Sequence, residues 1–132
     1  MEYVTYEDFK KMDMRIGTIR SVEPVEGSDK LLRCMIDFGE TEEIPAVEEG
    51  AETPEGVSAP VPKLRQIVSG IREYYPEYQS LEGKQVLYIV NLEPRTIRGV
   101  ESHGMLMAVD GTDGRPVFLT PETPVHPGSR VR

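Results

Sequence analysis

Tryptophan is absent from these 132 residues, cysteine occurs once and histidine twice. A single cysteine excludes an internal disulfide and fits a reducing, cytoplasmic setting. Cys34 alternates with Leu32, Ile36 and Phe38, the pattern of a core thiol rather than a nucleophile. His103 and His126 have no Cys or His neighbour at zinc-ligand spacing, so no metal is expected. No run approaches the roughly 18 uninterrupted apolar residues of a membrane helix. The opening Met1-Glu2-Tyr3-Val4-Thr5 lacks a basic segment followed by an apolar one, so no secretory signal is visible. A glycine-rich phosphate loop is missing too: Gly111 and Gly114 fall between strand patterns instead of opening a helix. Asp110 and Asp113 match only a fragment of a calcium loop, without its later glutamate, and read as a hairpin turn. Ser102 and His103 are adjacent, and neighbours on extended chain point to opposite faces, so they form no dyad. Neither catalysis nor a cofactor is expected.

What is present is strand pattern broken by turns. Thr5 and Asp8 make an approximate capping box for a short helix over residues 6–12, with Phe9 and Met12 facing inward. Strands are expected over 14–22, 31–38, 64–68, 86–90, 105–110 and 117–120, with a helical turn over 71–75. The apolar phase of the first strand slips between Ile16 and Ile19, which places a bulge near Gly17 or Thr18. Met107 is expected in the core and Met105 at its rim. Tyr74, Tyr75 and Tyr78 read as packing for a short connector. About six short, bulged strands with little helix argue one domain over residues 1–132, a small antiparallel barrel. Pattern alone does not separate an OB-fold from an SH3-like barrel.

The net charge of -8 opposes nucleic-acid binding at face value. Its placement matters more. Seven glutamates and no lysine or arginine fall between Glu40 and Pro62; without them the body carries 16 acids against 15 bases. That stretch reads as a solvated surface insertion, whose alternative use would be an acidic docking element. Local field, not net charge, decides whether a phosphate backbone is attracted.

Residues 91–108 hold the densest signal. Arg95 and Arg98 stand on a short segment bounded by Pro94 and Gly99, directly before an apolar strand, with Ser102 and Met105 close behind. Guanidinium forks suit phosphate oxygens, and a soft apolar face suits an exposed base. Lys63 and Arg65, with Lys30 and Arg33, extend this basic track.

This stretch resembles the core of the tRNA-binding domain found at the C-terminus of methionyl-tRNA synthetases. The same domain occurs as a free-standing protein and in endothelial monocyte-activating polypeptide. Residues 8–17, 29–32, 65–71 and 121–132 agree with that family in order, so the resemblance covers nearly the whole chain apart from its first residues and 40–62. It implies an OB-fold: a five-stranded antiparallel barrel, with a short N-terminal helix and extra C-terminal strands. It implies a tRNA partner recognised by shape, with RNA-contacting positions at Arg98, Ser102 and Met105 and with Asn91 and Arg95 alongside. Lacking a synthetase catalytic region, the chain is expected to act in trans with methionyl-tRNA synthetase. A homodimer is implied by the family's free-standing members, with Val125 and Val131 of the tail covering a partner's barrel edge. A rival from another class is a homodimeric peptide-binding chaperone of the CsaA type, which shares the barrel. The segments 65–71 and 121–132 look more like the synthetase branch.

Overall fold

The computed structural model describes residues 1–43 and 60–132, an all-β structure with one short helix. Thr5 opens α1 (Tyr6–Lys11) with the expected capping box. Its hydroxyl accepts from the Asp8 amide at 3.0 Å, and the Asp8 carboxylate accepts from the Thr5 amide at 3.4 Å. So short a helix depends on such caps, because most of its N–H groups lack an intrahelical partner. Met12 caps it and stays exposed, while Phe9 is half-buried.

Nine strands follow among the described residues. They are β1 (Met14–Pro24), β2 (Leu32–Glu43), β3 (Pro60–Ser69), β4 (Gln85–Ile89), β5 (Arg95–Ile97), β6 (Val100–Ser102), β7 (Met105–Leu106), β8 (Ala108–Asp110) and β9 (Pro116–Phe118). Five form one antiparallel sheet in the order β3-β2-β1-β4-β7, and β5-β6 and β8-β9 are separate ribbons. Even-numbered residues of β2 from Leu32 to Phe38 face the core, packed with Ile19, Val22, Ile67, Val86 and Tyr88. Each such side chain contributes about 1.5–3 kcal/mol by leaving water. Burial also pushes the Cys34 thiol up to about 12, so it behaves as a small hydrophobe. Gly17 passes so close beneath the core that a Cβ there would stand 2.6 Å from Phe38 Cε1.

Several expectations shift in detail. The bulge falls between Ile19 and Ser21, making Arg20 the extra residue. Gly17 and Thr18 are buried and paired with β4, whereas Arg20 points outward to Asp37 and can be spared from the ladder. β2 and β3 extend into the expected insertion through the pairs Thr41–Pro62, Glu42–Val61 and Glu43–Pro60. The rest of that insertion, residues 44–59, lies outside the described residues. The strand expected over 105–110 breaks at Met107, which is half-buried, and Leu106 packs against the core in its place. Tyr75 and Tyr78 pack as connectors, but Tyr74 is exposed.

Two closures turn the curled sheet into an OB-like barrel. The first half of β1 pairs with β4 and the second half with β2, leaving one edge of residues 14–17 vacant. The C-terminal tail of the same chain fills it. Gly128 donates to the Ile16 carbonyl at 2.7 Å, Ile16 to Ser129 at 2.9 Å and Val131 to Met14 at 2.8 Å. The second closure joins β3 to the β6–β7 region. His103 donates its amide to the Gln66 carbonyl at 2.9 Å, and the Ser102 hydroxyl accepts from the Val68 amide at 3.0 Å.

Candidate nucleic-acid interface

β5 and β6 make a hairpin whose two-residue loop is Arg98-Gly99, with Ile97 paired to Val100. A loop this short needs positive φ at both central positions to follow the strand twist. Gly99 adopts 80° without penalty; Arg98 adopts 52°, the sole non-glycine residue with positive φ among the described residues. That conformation costs a side-chain-bearing L-residue about 1–2 kcal/mol. A turn selected for stability alone would carry Asn or Gly there. The guanidinium at this tip thus stands where asparagine or glycine would sit at lower backbone cost.

Arg95, opposite Ser102 in the ribbon, and Arg98 are both exposed. Neither makes a side-chain hydrogen bond or ion pair among the described residues. Glu101, a neighbour able to neutralise them, meets His103 instead, at 2.5 Å between Oε1 and Nε2. Met105 is 45 % exposed at the rim of the barrel, where β7 pairs with Ile89 of β4. Lys30 and Lys63 are exposed and have no ion pair among the described residues.

The remaining expected contacts are bonded within the protein. Ser102 is only 4 % exposed. Its hydroxyl accepts from Val68 and donates to the Gly104 carbonyl at 3.2 Å, so it fastens the barrel seam. Asn91 accepts from the Asp13 amide at 2.9 Å and donates to the Lys11 carbonyl at 2.6 Å, pinning the end of α1. Arg65 sits opposite Ile36 in the β2–β3 ladder, on the core side and not on the outer face. Its Nε and Nη2 hold both Glu40 oxygens at 2.8 and 3.0 Å, and Nη1 donates to the Val90 carbonyl at 2.8 Å. Those hydrogen bonds hold the Glu40 carboxyl below its ordinary range, against the opposing effect of burial. Arg33 is paired with Glu23. Each partner is distant in sequence or is a backbone atom, so spacing gave no sign of it.

Beside the hairpin lies a groove of about 540 Å³. Met35, Leu64 and Leu92 give it apolar walls, and Lys63, Glu101 and His103 give it polar ones. The Glu101–His103 pair escaped the sequence reading. Its signal was the two-residue spacing, which puts both side chains on one face of an extended segment.

A small OB-like barrel that presents cations on a strained hairpin beside a mixed groove is a binding module. The family described as "Putative tRNA binding domain" matches residues 14–130, and this chain belongs to it. Over 131 residues the chain is 42 % identical to a methionine–tRNA ligase of Archaeoglobus fulgidus, covering 98 % of this chain and 16 % of that enzyme. A methionine–tRNA ligase of Caldanaerobacter subterraneus is 34 % identical, with 99 % and 17 % covered. The chain thus spans about a sixth of the length of these curated relatives. Among solved structures it is similar to a MetRS related protein from Pyrococcus horikoshii, with TM-score 0.76, 30 % identity and full coverage of both chains. It is also similar to the chaperone CsaA of Bacillus anthracis, with TM-score 0.70, 25 % identity, and 99 % of this chain and 100 % of that one covered.

Proposed function

We propose that this single domain is a non-catalytic tRNA-binding protein of the cytoplasm that recognises tRNA by shape and acts in trans with methionyl-tRNA synthetase. The observation that carries this reading is the exposed, unneutralised pair Arg95 and Arg98 on a hairpin strained at Arg98, in a chain of net charge -8. Both guanidiniums grip phosphates, and Met105 offers an apolar face to an unstacked base. Lys30 and Lys63 add longer-range attraction. Ser102, Asn91 and Arg65 hold this surface in place through their bonds to the Val68 amide, the Asp13 amide and the Glu40 carboxylate.

The test is a filter-binding titration with tRNA at several salt concentrations. Each lost phosphate contact should flatten the log–log salt slope by about 0.7–0.9. Arg95→Glu with Arg98→Glu should abolish binding; a double variant that retains tRNA at wild-type affinity refutes the proposal. The chaperone likeness supports a second reading, a peptide-binding protein. Suppression of client aggregation with no tRNA affinity would favour that one.

We further propose a homodimer. Tyr6, Met12 and Val131 are exposed apolar residues on α1 and the tail, and they line one shared depression with Phe9. The tail covers its own β1, so the dimer uses this apolar face and not an exchanged strand. A monomer mass by light scattering removes this part alone.

A further inference from the structure

We propose that the groove beside the hairpin is a subsite for one unpaired guanine of the bound RNA, read by the Glu101 carboxylate. This rests on the tRNA-binding reading above and names a base preference that shape recognition leaves open.

Glu101 and His103 meet in the groove wall with 57 % and 42 % of their side chains exposed. The histidine engages one carboxylate oxygen; Oε2 has no partner among the described residues. An ionised carboxylate offers about four acceptor positions, so most remain open. The backbone beneath is fixed from β3 on both sides of Ser102. The Glu101 carbonyl accepts from Gln66 Nε2 at 2.7 Å, and the His103 amide donates to the Gln66 carbonyl at 2.9 Å. A reader held in this way loses little freedom when a ligand arrives. Glu40, the other carboxylate of the groove, is occupied on both oxygens by Arg65.

Guanine is the base whose Watson–Crick edge places two N–H donors side by side, N1–H and the 2-amino group. They fit two carboxylate oxygens as a guanidinium fork does. Adenine and cytosine set one amino group beside a ring nitrogen whose lone pair faces the anion. Uracil has one N–H between two carbonyls. Met35, Leu64 and Leu92 supply contact for the base, and Lys63 supplies a cation for its phosphate. The groove lies within the size range of small-ligand clefts. It is also continuous with the hairpin, since Pro94, which precedes Arg95 in the chain, and Glu101, opposite Thr96 in the ribbon, line it. An apolar peptide would leave Glu101 and Lys63 without complementary groups.

Titrating 5′-GMP, 5′-AMP, 5′-CMP and 5′-UMP into the 15N-labelled protein reads affinity and location together. GMP should bind about 5- to 10-fold more tightly than the others, the lower end of what a bidentate base contact discriminates. Amide shifts should gather at Met35, Glu101 and His103. Glu101→Gln should erase the GMP advantage while raising affinity for the other three, because removing an anion favours any phosphate. Equal affinity for all four, shifts confined to residues 95–99, or an advantage that survives Glu101→Gln overturns the proposal. So does occupation of the groove by an apolar hexapeptide but by no nucleotide. The Arg95/Arg98 reversal assayed with tRNA is a separate result, so failure of the subsite is told apart from failure of the tRNA-binding reading.

Discussion

Arg98 shows what a single residue reveals when its backbone and side chain disagree. Its φ of 52° suits asparagine or glycine, yet the position carries a long cation that finds no partner among the described residues. Arg98→Asn should therefore stabilise the domain by up to about 1 kcal/mol. The same change should weaken tRNA binding. Chemical denaturation and filter binding on one preparation check both signs; a variant that loses stability shows the hairpin is not strained at this point. Arg95 and Arg98 were legible as candidates because cations bounded by proline and glycine stand out locally. Ser102, Asn91 and Arg65 were named beside them, but their structural bonds were not legible, because these run to Val68, Asp13 and Glu40, which lie 34, 78 and 25 residues away. Sequence spacing reports neighbours along the chain and is silent about neighbours across a barrel.

Among the elements, the long strands were readable and the short ones were not. β2 declares itself through four alternating core residues, and β4 through a nearly continuous apolar run. β5 and β6 have three residues each, too few to show a period, and they hang on a loop whose turn residue is an arginine. The bulge in β1 was visible as a phase slip, but its position was set by which residues the core could not spare. The seam between β3 and β6 rests on the Ser102 hydroxyl and the Gln66 side chain beside a single backbone bond, which no pattern encodes. Ser102→Ala leaves the Val68 amide buried without an acceptor and should cost about 1–3 kcal/mol. Thermal or urea unfolding measures it. Below the transition the variant should keep most of its tRNA affinity; a loss of binding at full stability would return Ser102 to the contact surface.

At the scale of the whole molecule, carboxylates serve the fold as well as the net charge. The hydrogen bond from Arg15 holds Asp13 below its ordinary value, and Arg65 does the same for Glu40. Burial pushes Asp37 upward, but Arg20 and the Gly39 amide outweigh it and its value also falls. All three favour the charged form when folded. Their contribution is complete above the ordinary values of 3.8 and 4.5, and it is lost as the pH drops through the depressed folded values. Denaturation midpoints should be flat from about pH 7 to 5 and fall below about pH 4. Arg65→Gln should flatten that acid limb, and an unaltered limb would show that the Glu40 pair contributes nothing. The barrel ring has one unusual joint, where β3 meets β6 through a hydroxyl, an amide side chain and one backbone bond. Lys63 stands on one bank of that joint and the arginine hairpin on the other. An RNA strand laid from bank to bank would rivet the ring shut, so tRNA should slow deuterium uptake at Val68 and His103 far more than at Ile36 or Leu87.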